Sequence, residues 1–74
     1  LSGHTAASRL ELYLAENAVQ KDGVSQVQLP FSLSEFAEHL CVGRASLYRT
    51  LDAMEQQGRI RRKGRTIYLS GESF

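Results

Sequence analysis

Two apolar stripes of helical period stand almost back to back in this chain, and they limit its fold more than any other feature. Leu33, Phe36, Ala37 and Leu40 recur at i, i+3, i+4 and i+7, and Leu47, Leu51 and Met54 repeat the pattern a few residues later, with Gly43 between them. With 74 residues in all, there is room for one hydrophobic core, so both stripes must face it. Two helices that share a core across so short a connection have to turn sharply against each other.

The boundaries of these helices follow from their flanks. Ser32-Leu33-Ser34-Glu35 has the capping-box form, in which the Ser32 hydroxyl accepts from a backbone amide and Glu35 reaches back to the amide of Ser32. A helix therefore starts there, and Gly43 is expected to interrupt it after about two turns. The second stripe predicts a longer helix over 44–57, closed by Gly58 as its C-terminal glycine. Upstream, Ala6, Leu10, Tyr13, Leu14 and Ala18 predict a first helix over about 5–20, with Lys21-Asp22-Gly23 as its basic last turn and stop. Val24 to Leu29 alternates and ends at Pro30, which predicts a short edge strand. After Gly58, Ile60 alternates with basic neighbours, Lys63-Gly64 supplies a tight turn, and Ile67 and Leu69 share one face of a returning strand. The tail Ser70–Phe74 is expected to make one helical turn that brings Phe74 over the core.

The fold class expected is α+β: three helices, a short strand and a C-terminal β-hairpin, in one domain spanning residues 1–74. A third helix held against the second by a Gly-containing turn is the helix-turn-helix unit, and the hairpin beside it is a wing.

Charge points to a partner. Residues 1–58 hold four basic and seven acidic groups, net −3, whereas residues 59–74 hold five basic and one acidic, net +4. All five of those cations fall between Arg59 and Arg65, and a concentrated positive block on a folded chain favours a polyanion. On the third helix, Ala45, Arg49, Asp52 and Gln56 lie opposite the apolar stripe, and Arg44 projects from its start. The planar fork of Arg can bind guanine O6 and N7 together, which Lys cannot do. Arg61, Arg62, Lys63 and Arg65 would meet phosphates, as would Ser32 and Ser34 at the start of the second helix and Gly43 at the start of the third.

These residues carry a resemblance: Ser32-Leu33-Ser34-Glu35-Phe36-Ala37-Glu38-His39-Leu40, Val42-Gly43-Arg44-Ala45-Ser46-Leu47-Tyr48-Arg49-Thr50-Leu51, Gly58-Arg59-Ile60 and Gly64-Arg65-Thr66-Ile67. Over about Leu10 to Phe74 the chain resembles the C-terminal winged helix-turn-helix domain of the Crp/Fnr transcription regulators. The resemblance implies double-stranded DNA as partner, with Arg44, Ser46 and Arg49 at base edges or backbone and Ser32 on a phosphate. Ala45 stands where many members have a Glu that accepts from cytosine, so the family's best-known half-site is not carried over. Tyr48 is bulkier than the family's usual residue there, and either touches a thymine methyl or the sugar-phosphate chain, or packs on the second helix.

The resemblance further implies a cytoplasmic bacterial regulator that acts as a homodimer and can engage RNA polymerase. The chain, which opens on Leu1, is expected to be a fragment whose N-terminal effector domain is absent; any effector would bind there, and no cofactor is expected in this domain.

The other readings are plainer. The basic hairpin could be a solvated edge that guards against strand pairing, and Arg49 could pair with Asp52 on the helix surface. A winged helix can also bind protein, or RNA through the same basic surface. No nucleophile, base and pocket occur at a usable spacing, so catalysis is not expected. His39 and Cys41 lie two apart and do not face together, which with His4 makes no metal site; Cys41 is expected as a small apolar filler at the end of the second helix.

Overall fold

The computed structural model describes residues 5–70. Its elements run α1 (Ala6–Asn17), β1 (Val19–Lys21), β2 (Val24–Gln28), α2 (Leu33–Leu40), α3 (Arg44–Gln56), β3 (Ile60–Lys63) and β4 (Thr66–Leu69). The strands form one antiparallel sheet in the order β1-β2-β4-β3. This is the winged helix-turn-helix architecture expected, with a sheet larger than the sequence led us to expect.

Both apolar stripes enter one core. Phe36, Ala37 and Leu40 from α2, Leu47, Leu51 and Met54 from α3, and Leu10 and Leu14 from α1 are buried against Val27, Leu29, Ile60, Ile67 and Leu69 from the sheet side. No polar or charged side chain is buried among the described residues, so the core is held by apolar area alone.

The first helix is shorter than its periodicity predicts. It starts at Thr5, whose hydroxyl accepts from the Ser8 amide at 3.1 Å, and it stops at Asn17, beyond which Ala18 is extended. Val19–Lys21, assigned above to the helix, is instead β1, and Asp22-Gly23 is a hairpin turn and not a helix stop. Both turn residues have positive φ, 55° and 78°, as a two-residue type I′ loop requires. The expected edge strand is accordingly corrected too: β2 lies inside the sheet, between β1 and β4.

The stop of α2 is corrected in the same way. Cys41, not Gly43, ends the helix by turning left-handed at φ 59°. Its amide donates to the Glu38 carbonyl and that of Val42 to the Ala37 carbonyl, each at 3.0 Å, which is a Schellman closure. Cys41 is exposed and is no core filler. The αL conformation is costly for a residue with a Cβ, so Cys41→Gly is expected to stabilise the domain by about 0.5–1 kcal/mol, read from urea midpoints. Gly58 closes α3 as expected, with its own amide on the Glu55 carbonyl and the Arg59 amide on that of Met54.

The wing turn is Gly64-Arg65, since Lys63 still pairs with Thr66; the expected Lys63-Gly64 turn is shifted by one residue. Only Gly64 of the two has positive φ, 60°, which fits a Gly-first type II′ loop. The expected helical turn over the tail lies, from residue 71 on, outside the described residues, as does His4.

Candidate nucleic-acid interface

Helix α3 is amphipathic in the sense expected. Leu47, Leu51 and Met54 are buried, while Arg44, Ala45, Tyr48, Arg49 and Asp52 are exposed and Ser46 is half-buried. Tyr48 keeps 39% of its surface in solvent, so it is not packed away against α2. The Arg49 guanidinium is 3.4 Å from Ser46 Oγ, a weak contact within the helix, and it does not pair with Asp52. Neither Arg44 nor Arg49 has a carboxylate partner among the described residues. Gly43 caps α3 without a side-chain hydrogen bond, so side chains leave the first amides of the helix unoccupied.

The start of α2 is built differently. Ser32 Oγ accepts from the Glu35 amide at 3.2 Å, and the Ser32 amide donates to Glu35 Oε1 at 2.9 Å, which completes the capping box. The bond from the Ser32 amide holds the Glu35 carboxyl below its ordinary value of 4.5; the Ser32 side chain and, more weakly, Arg65 act in the same direction against slight desolvation. The Arg65 carbonyl accepts from the Leu29 amide at 2.9 Å, which ties the wing turn to the segment after β2.

A pH dependence follows. Because the folded pKa of Glu35 is depressed, its contribution is present above the ordinary value near 4.5 and is lost as pH falls through the lower folded value. The stability gap between wild type and Glu35→Gln should shrink on acidification below that window, in urea titrations at stepped pH.

The wing's cations do not act as one group. Strand alternation puts Ile60 and Arg62 on the side facing the helices and Arg61 and Lys63 on the outer side of the sheet. Arg61 and Lys63 flank Tyr68 there, and a shallow cleft of about 380 Å³ is lined by these three together with Arg62. Arg62 is turned the other way, onto α3: Nε and Nη2 donate to Glu55 Oε1 at 2.9 and 2.6 Å, and Nη2 donates to Asp52 Oδ1 at 2.7 Å. Arg59 pairs with Glu11 of α1 at 3.1 Å. Of the residues expected on one surface, Arg44, Ala45, Tyr48 and Arg49 are exposed on the first half of α3, Ser32 and Ser34 are at the start of α2, Arg65 is in the wing turn, Arg61 and Lys63 lie on the outer sheet face, and Arg62 is occupied by carboxylates.

Two contacts that support this frame escaped sequence reasoning. Arg9 of α1 donates from Nη1 to the Leu40 carbonyl at 3.0 Å, capping the C-terminal end of α2. Tyr13, Phe31, Phe36 and His39 form an aromatic cluster with centroid separations of 4.8–6.4 Å. Both join residues far apart in the chain, for which local pattern has no marker. Among the described residues no group of three or more His, Cys, Asp or Glu could hold a metal ion.

The model of the Crp-like helix-turn-helix domain matches residues 8–71. The chain belongs to that family. It is thus a DNA-binding domain of a transcription regulator, and DNA is the partner the family implies. Comparison with curated proteins gives no match. The match spans all seven elements, from within α1 past β4, so the β1–β2 hairpin and the wing belong to the Crp-like unit as much as α2 and α3 do. No described helix is long and apolar enough to cross a membrane.

Proposed function

We propose that the domain reads duplex DNA sequence through the N-terminal half of α3, with Arg44, Ala45, Ser46, Tyr48 and Arg49 at base edges. The observation that carries this reading is that Arg49 stands exposed on the face opposite the buried stripe and Arg44 stands exposed at the helix start, neither with a carboxylate partner among the described residues. Ala45 and Tyr48 beside them offer apolar surface of the kind a thymine methyl accepts. Ser32, Ser34, Gly43, Arg61, Lys63 and Arg65 are assigned to phosphates.

In this reading the domain is the C-terminal part of a bacterial, cytoplasmic regulator of Crp/Fnr type. Two copies would present their reading helices to major grooves about 34 Å apart, and pairing them raises affinity through effective concentration. The effector acts on an upstream domain, RNA polymerase is met by the full-length protein, and this domain itself takes no cofactor and catalyses nothing.

Titration of the chain with duplex DNA over a range of salt tests the reading. The log-log slope should be near −0.9 per phosphate neutralised, and a duplex recovered by selection from random sequence should bind more tightly than an unrelated one. Affinity indifferent to salt, or tighter binding to a hairpin RNA than to any duplex, would remove the basis for the assignment.

A further inference from the structure

Helix α3 is divided by charge along its length. Arg44 and Arg49 occupy its first half, and Asp52 and Glu55 its second. The two carboxylates are three residues apart on one face, an arrangement that repels itself unless a cation lies between them. Arg62 is that cation, and it comes from the wing. It contacts both acids at 2.6–2.9 Å, and its side chain is only 24% exposed, so three charges form one tight junction between reading helix and wing. A fork with bonds to two carboxylates in a network is worth more than an isolated surface pair.

We infer that Arg62 is a positioning residue: it pins the wing to the second half of α3 and so sets where the cations at the wing tip, Lys63 and Arg65, meet the DNA backbone. Period-two alternation makes this division of labour possible. The same strand that turns Arg62 inward turns Arg61 and Lys63 outward, so the pin and the phosphate ligands come from neighbouring residues with opposite orientations. The attraction is also selective. The wing is drawn to the acidic half of the helix and leaves the half bearing Arg44 and Arg49 open to DNA. The inference rests on the DNA reading above for its consequence, though not for the junction itself.

Duplex binding by Arg62→Met, by the pair Lys63→Ala with Arg65→Ala, and by all three together tests it. If Arg62 acts through the wing, the tip pair costs on the order of tenfold in the wild type and much less in the Arg62→Met background, because an unpinned wing no longer delivers those cations. Losses that simply multiply would overturn the inference, since they would make Arg62 an independent phosphate ligand.

The variant Asp52→Ala with Glu55→Ala separates pinning from bare charge. Removing two negative groups ought to tighten DNA binding on electrostatics alone; the pin predicts weaker binding, and tighter binding would overturn it.

Hydrogen exchange without DNA gives a third readout. Amides of β3 and β4 should exchange faster in Arg62→Met while those of α1 and α2 keep their protection, and an unchanged wing would count against the pin. If the wild type bound no duplex, the DNA reading would fail and hydrogen exchange alone would decide the junction.

Discussion

Arg49→Ala should weaken binding to the selected duplex by about 1–3 kcal/mol, or roughly five- to 150-fold, and should narrow the gap between that site and an unrelated one. The magnitude follows from what the side chain is free to do. Arg49 is exposed in the middle of the outward face of α3, and its side chain's one hydrogen bond among the described residues is a 3.4 Å approach to Ser46 Oγ, too long to hold it against a better acceptor. Two of its donors can therefore turn to a base edge at little cost. An alanine there keeps the helix, since Ala is the best helix former, and removes the fork. Fluorescence anisotropy on both duplexes is the measurement. Equal losses on selected and unrelated DNA would reduce Arg49 to a phosphate contact, and no loss would remove it from the interface.

The second large effect is on the fold itself. Phe36→Ala is expected to cost about 3–5 kcal/mol, the range for truncating a fully buried aromatic. A chain of 74 residues has a total stability of roughly 4–11 kcal/mol at the usual increment per residue, so this single change removes a large part of it. Phe36 is 0% exposed, and its ring lies 4.8 Å from that of Tyr13 and 5.7 Å from that of Phe31. It therefore joins α2 to α1 and to the segment that leads into α2. Urea unfolding followed by circular dichroism should show a much lower midpoint or no transition. A midpoint within a few tenths molar of wild type would mean that the site collapses around the cavity far better than cores of this density do.

The two predictions draw on parts of the molecule that were unequally legible in the chain. The stripes in α2 and α3 were plain because helical period and burial agree there, and because a capping box and a C-terminal glycine mark the ends. The β1–β2 hairpin was not. Asp22-Gly23 fits a helix stop as well as a type I′ loop, and what decides is the pairing of β2 with β4, some forty residues further on. Cys41 gave no local clue, because a cysteine rarely takes the left-handed conformation that it holds here at φ 59°.

The candidate site shows the same split. The outward face of α3 was readable from angles alone, and so was the basic character of the wing. The division of the wing could have been read by applying period two to Ile60, whose place in the core fixes the direction of Arg62. What no local pattern could provide is the identity of the two carboxylates waiting there, since that depends on how the hairpin folds back over α3.

The connection between α2 and α3 has one more consequence. It is three residues long, Cys41 to Gly43, and backbone hydrogen bonds run from it into both helices: Val42 donates to Ala37, and the Gly43 carbonyl accepts from Leu47 at 2.9 Å. A joint so short and so fully bonded leaves the helices no hinge. Docking onto a groove then freezes little backbone motion that was not already frozen, and the entropy lost on association is confined to a few long side chains. Encounter with a target of the right shape should proceed close to rigid-body speed, and differences between targets should show in how slowly the complex comes apart.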